Sequence, residues 1–132
     1  MAELTDFLGK HILSGCEYNE IKVERWYSEK SNTLDFVLDG KEYRCIEDPN
    51  DGYRSALDEI VELPSGTVKN IFPECEVFGK MMPNDRYEKN EIVQLFDILN
   101  TKIVLEFGTQ NYNDYYPMFI GTFHPENMAV NQ

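Results

Sequence analysis

A chain of 132 residues, 42% of them hydrophobic and 13% aromatic, carries enough apolar material to bury a core, which excludes general disorder and predicts a single domain over residues 1–132. Twenty-four acidic against twelve basic residues leave a net charge of −12, which repels phosphate backbones and anionic headgroups and so disfavours direct binding to nucleic acid or to a membrane surface. No run of about 18 apolar residues is present to span a bilayer, and the first residues lack the basic-then-apolar order of a leader, so a cytoplasmic protein is expected.

In chain order, residues 5–10 predict one helical turn, capped by Thr5 and stopped at Gly9, where a left-handed backbone is easily accommodated. Residues 11–18 and 21–27 alternate with period two and predict two strands around Asn19 and Glu20. The clearest local signal is residues 34–46, where alternating segments flank Asp39-Gly40, a pair whose backbone accepts the positive φ angles of a tight hairpin turn. Residues 47–52 then break the strand, since Pro49 has no amide donor and Asn50, Asp51 and Gly52 are turn formers. Residues 53–61 predict a short helix, with Ser55 and Asp58 in capping-box spacing and Leu57, Ile60 and Val61 on one side.

Beyond it, residues 63–72 predict a connector punctuated by Pro64, Gly66 and Pro73, residues 74–82 a strand ended by Pro83, and residues 84–90 a surface loop. A second hairpin is expected over residues 92–108 with its turn at Asn100-Thr101, and a last apolar segment over 115–123 after a polar loop at 109–114. About seven strands with one or two short helices make an α+β domain, a mostly antiparallel sheet with a helix over one face.

The residues do not spell out a catalytic centre. Cys16, Cys45 and Cys75 are odd in number and irregular in spacing, which suits neither a disulfide framework nor a zinc site and predicts buried, reduced thiols. His11 and His124 stand at opposite ends of the chain, with no Cys or carboxylate beside them at metal-ligand spacing. Residues 47–52 resemble a calcium loop only in composition: setting Gly52 at the sixth position puts Pro49 where an oxygen ligand is required. The glycines are scattered singly, with no phosphate loop or dinucleotide fingerprint, so no cofactor, no metal and no enzyme activity is expected.

Two segments stand out instead. Between Asp39 and Glu62 eight acids (Asp39, Glu42, Glu47, Asp48, Asp51, Asp58, Glu59, Glu62) face three bases, and after Lys102 there is no lysine or arginine. Such a surface favours a basic partner, although the same imbalance also serves solubility. In Asn111-Tyr112-Asn113-Asp114-Tyr115-Tyr116-Pro117 three tyrosines alternate with amides and one carboxylate; tyrosine gives large contact area with a polar tip, and the alternative role for Tyr115 and Tyr116 is to start the last strand and pack inward.

With Asp39-Gly40 before Tyr43, the run Glu47-Asp48-Pro49-Asn50-Asp51-Gly52-Tyr53-Arg54-Ser55, Asp114-Tyr115-Tyr116-Pro117 and His124-Pro125-Glu126-Asn127-Met128, the chain resembles small acidic proteins of tailed bacteriophages and prophages. The resemblance implies a setting in the host cytosol, where such proteins often bind and block a host factor, including restriction or CRISPR nucleases with basic nucleic-acid channels. The expectation is a non-enzymatic inhibitor of a basic host protein, an anti-defence nucleic-acid mimic, with Asp48, Asp51, Asp58, Glu59, Tyr112, Asp114, Tyr115 and Tyr116 as its partner-binding residues. The alternative is a module that sequesters a small metabolite or signalling molecule without catalysis. Self-association is left open by both.

Overall fold

The structure, a computed structural model, describes residues 2–23, 30–49, 55–112 and 116–129. Among them eight strands form one antiparallel sheet: β1 (Gly9–Lys22), β2 (Lys30–Leu38), β3 (Lys41–Glu47), β4 (Leu57–Leu63), β5 (Ile71–Met81), β6 (Glu88–Asp97), β7 (Ile103–Tyr112) and β8 (Pro117–Phe123). Their order across the sheet is β4-β3-β2-β1-β5-β6-β7-β8. Two four-stranded meanders are thus joined back to back, β1 pairing on one side with β2 and on the other with β5.

Alternation decides which side chains meet. Leu34, Phe36 and Leu38 of β2 face the interior with Cys45 and Tyr43 of β3, Val77 of β5, and Leu105 and Phe107 of β7. The sheet curls until its two halves share this core, so that Phe36 stacks on Phe107 with ring centroids 5.0 Å apart. A 3-10 turn at Leu4–Phe7 closes one end by inserting Phe7, 1% exposed, edge-on against Phe36, Tyr43 and Phe107 at 5.7, 5.0 and 5.3 Å. Gly79 of β5 passes directly beneath, where a Cβ would overlap the Phe7 carbonyl oxygen.

The expected Asp39-Gly40 hairpin is present, with φ of 54° and 78° at its two central residues. The helix expected over residues 53–61 is not: of those residues that are described, 57–61 belong to β4, paired through Cys45–Ile60 and Arg44–Val61 with β3. Pairing wins because Ile60 alternates into the core at 2% exposure, and Ser55 does not cap a helix but accepts the Phe119 amide. Among the described residues the only helical segments are two 3-10 turns, Leu4–Phe7 and Pro125–Asn127. The α+β expectation is therefore corrected to an all-β fold.

Smaller corrections follow from register. The first turn is capped through the Glu3 amide, which donates to Asp6 Oδ2, and ends before Gly9, whose φ of +84° opens β1. The break expected at Asn19 and Glu20 is absent, because both lie within the continuous pairing of β1 with β2. Strand β6 begins inside the expected loop, β7 runs on to Tyr112, and Pro73 lies within β5, at the register shift between the Leu13–Cys75 and Gly15–Ile71 pairs.

Residues 64–70 carry the chain from β4 to β5 across the outer face of the first meander. There the Glu42 carboxylate accepts the amides of Gly66 and Val68 at 2.5 Å each, and Val68 and Val37 are buried beneath the crossing. Beside it Asp35, fully buried, takes a bidentate Arg44 at 2.9 Å on both oxygens and the Asn19 amide at 2.7 Å. No helix of the described residues is long and apolar enough to cross a membrane.

Candidate functional site

Two segments whose bonded residues stand 52 to 64 positions apart in the sequence are fastened together by the curl of the sheet. The Ser55 amide donates to the Pro117 carbonyl at 3.2 Å, the Phe119 amide to Ser55 Oγ at 3.3 Å, and the Leu57 amide to Thr109 Oγ1 at 2.9 Å. The Asp48 amide closes the approach by donating to the Ala56 carbonyl at 2.7 Å. Ser55, just before β4, therefore meets the start of β8 at one place, where the two edge strands come together.

Next to this junction a cleft of about 350 Å³ opens between β1, β2, β3 and β8, lined by Tyr18, Asn32, Glu47, Phe119 and Gly121 among others. Asn32 Nδ2 donates to Glu47 Oε1 at 2.9 Å. The Tyr18 hydroxyl accepts the Phe123 amide at 2.6 Å, fixing a ring that stays 57% exposed. The cleft offers a carboxylate, amide and hydroxyl groups and one aromatic wall, a set suited to hydrogen-bonding ligands or to a peptide side chain.

The expected partner-binding residues fall unequally. Asp48 is half-buried beside the junction, Asp58 is exposed on β4, and Tyr116 is 51% exposed immediately before β8. Glu59 is half-buried and follows Asp58 at the register shift of β4 against β3. Tyr112 ends β7, and Asp51, Asp114 and Tyr115 lie outside the described residues.

Three other acids of the 39–62 segment serve the chain itself. Asp39 holds His11 Nδ1 at 2.5 Å and the Ile12 amide at 2.8 Å, Glu42 holds the crossing, and Glu47 holds Asn32. Burial acts to raise the Asp39 carboxyl, but the His11 and Ile12 hydrogen bonds outweigh it and hold it below the usual carboxylate range. Glu42 is likewise held low, first by the Val68 amide. Tyr18, Asn32 and Phe119 were not singled out by sequence pattern, since nothing but strand register brings them to one cleft.

The three cysteines are buried and unbridged, as their number and spacing predict. Burial pushes all three thiols up, Cys75 to about 12, which leaves them as thiols rather than nucleophilic thiolates at neutral pH. Both histidines find carboxylates in the fold: His11 pairs with Asp39, and His124 Nε2 lies 3.2 Å from Glu106 Oε2. Among the described residues no group of three His, Cys, Asp or Glu side chains is placed to hold a metal ion.

Fold and cleft together define a curled antiparallel β protein, eight-stranded among the described residues, with a polar cleft beside the edge strand β8. No family model, curated protein or solved structure matches the chain.

Proposed function

We propose that the chain is a non-catalytic binding protein that holds a basic protein partner at the junction of its β3–β4 and β7–β8 connections. The observation that supports this reading is the fastening of Ser55 to Pro117 and Phe119, which joins the acid-rich and tyrosine-rich segments in one surface region. Asp48 and Asp58 supply negative charge there, and Tyr116 supplies exposed aromatic area. In the setting implied by the phage resemblance, the partner is a host nuclease or other nucleic-acid enzyme, and the protein competes for its basic channel as a nucleic-acid mimic. Association of this kind is steered by charge and weakens with salt, because the Debye length falls from about 10 Å at 0.1 M to about 3 Å at 1 M.

The test is affinity capture of the tagged protein from host lysate at low and high salt, alongside a variant carrying Asp48→Lys, Asp58→Lys and Tyr116→Ala. The reading requires a basic protein retained by the wild type and lost from the variant.

A second reading is favoured by the cleft itself. Tyr18, Asn32 and Glu47 would hold a small polar ligand, neutral or cationic, since the carboxylate and the net charge of −12 oppose an anion there. Thermal melts against a metabolite panel separate the two, because a ligand of the native state raises the melting temperature. A shift that Tyr18→Ala removes would favour the ligand; no shift with any compound would count against it.

A further inference from the structure

On the outer face of strands β1, β5 and β6 lies a second depression, of about 470 Å³, lined by Lys10, Phe78, Lys80, Phe96, Asp97 and Ile98 among others. Register explains it. Lys10 pairs with Phe78, and Phe78 with Phe96, so one outward-facing row crosses β1, β5 and β6 as lysine, phenylalanine, phenylalanine. Phe78 and Ile98 remain 37% and 38% exposed. Lys80, two residues along β5 on the same face, carries its ammonium 5.9 Å from the Phe78 ring centroid and 5.7 Å from that of Phe96.

The charge here is opposite to that of the molecule. Among the described residues no carboxylate lies within ion-pair distance of Lys10 or Lys80, in a chain with twice as many acids as bases. Asp97 keeps its charge but is 2% exposed and turns its oxygens to the Leu99, Asn100 and Ala129 amides and the Cys75 thiol, which leaves the two lysines as the solvent-facing charges of the depression. Glu76 and Glu74 are the other acids on this face of β5; Glu76 pairs with Ile12 one step past Phe78, away from Lys80, and Glu74 lies a further step along. One ammonium over an exposed and a half-buried phenylalanine, with a second lysine paired across from Phe78, selects for a negative charge attached to a flat apolar body.

We propose that this groove binds small aromatic anions, with Phe78 and Phe96 contacting the ring system and Lys10 and Lys80 pairing with its carboxylate. It is separate from the junction site and independent of the reading given for it. The experiment is an NMR titration of the ¹⁵N-labelled protein with 1-naphthoate, and with 1-naphthylmethylammonium as the charge-reversed control. Naphthoate is expected to shift the amides of Lys10, Phe78, Lys80 and Phe96 saturably, and the ammonium compound to leave them unmoved. The double variant K10Q/K80Q, altered only at exposed side chains, is expected to bind naphthoate about tenfold more weakly, as the loss of two surface ion pairs implies. Equal binding of the two probes, shifts centred on the Tyr18–Asn32–Glu47 cleft, undiminished affinity in K10Q/K80Q, or no saturable shift at all would each overturn the assignment.

Discussion

Asp97 uses its carboxylate entirely inside the chain. It ends β6, caps the turn to β7 through the Leu99 and Asn100 amides, and ties down the segment after Pro125–Asn127 through the Ala129 amide at 2.7 Å. Burial acts to raise its pKa, but the Ala129, Leu99 and Asn100 amides and the Cys75 thiol together bring it below the ordinary value. A carboxyl depressed in the folded state contributes stability that is fully present above its unfolded pKa, near 4, and is lost as pH falls through the folded value. Asp39 and Glu42 are depressed as well, so the unfolding free energy should stay level down to about pH 4 and fall below it. Asp97→Asn replaces one accepting oxygen by a donor facing other donors, and should cost about 1–3 kcal/mol at neutral pH with a shallower acid limb in urea titrations. Wild-type stability in this variant would mean that the Asp97 bonds are not what holds the C-terminal segment. The sequence marks none of this: Asp97 reads there as one acid among 24, because the donors that give it a role come from residues 75 and 129.

At the scale of elements, the closing turn Leu4–Phe7 and the bare patch of β5 beneath it form one device. Gly79→Ala would push a methyl group into the Phe7 carbonyl, so the turn must lift and Phe7 must leave the core. Exposing a fully buried phenylalanine costs about 2–3 kcal/mol by its area, and Phe7→Ala about 3–5 kcal/mol with the cavity included. Because both changes break the same contact, the double variant should be little worse than Phe7→Ala alone in denaturant melts; simple additivity would show that Gly79 acts by some other route. Hairpins such as Asp39-Gly40 were legible because the turn chemistry and the alternation sit side by side. Strand β4 was not, since Leu57, Ile60 and Val61 fit one helical face as well as they fit a strand. What decides between them is the partner strand 15 residues earlier, through Cys45–Ile60, and no local pattern records that pairing.

For the whole molecule, the order β4-β3-β2-β1-β5-β6-β7-β8 is what sets the function proposed here. It brings the outermost strands of two meanders together, and with them Asp48, Ser55 and Ala56 between β3 and β4 and Tyr116 before β8. Each segment was visible in the sequence as a local peculiarity, but their meeting depends on sheet curvature and on the crossing at residues 64–70, which short-range signals do not encode. The same topology draws Asp39, Glu42 and Glu47 into internal bonds, so that the acidic run is not one continuous face. The negative charge proposed for a partner is that of Asp48, half-buried beside the junction, and Asp58, exposed on β4, which is more specific than net charge alone. Its most direct test is the paired capture experiment with wild-type protein and the Asp48→Lys, Asp58→Lys, Tyr116→Ala variant. The account predicts a basic protein held by the wild type at low salt, released at high salt and absent from the variant, with both proteins equally folded; the same proteins on both baits, or none on either, would contradict it.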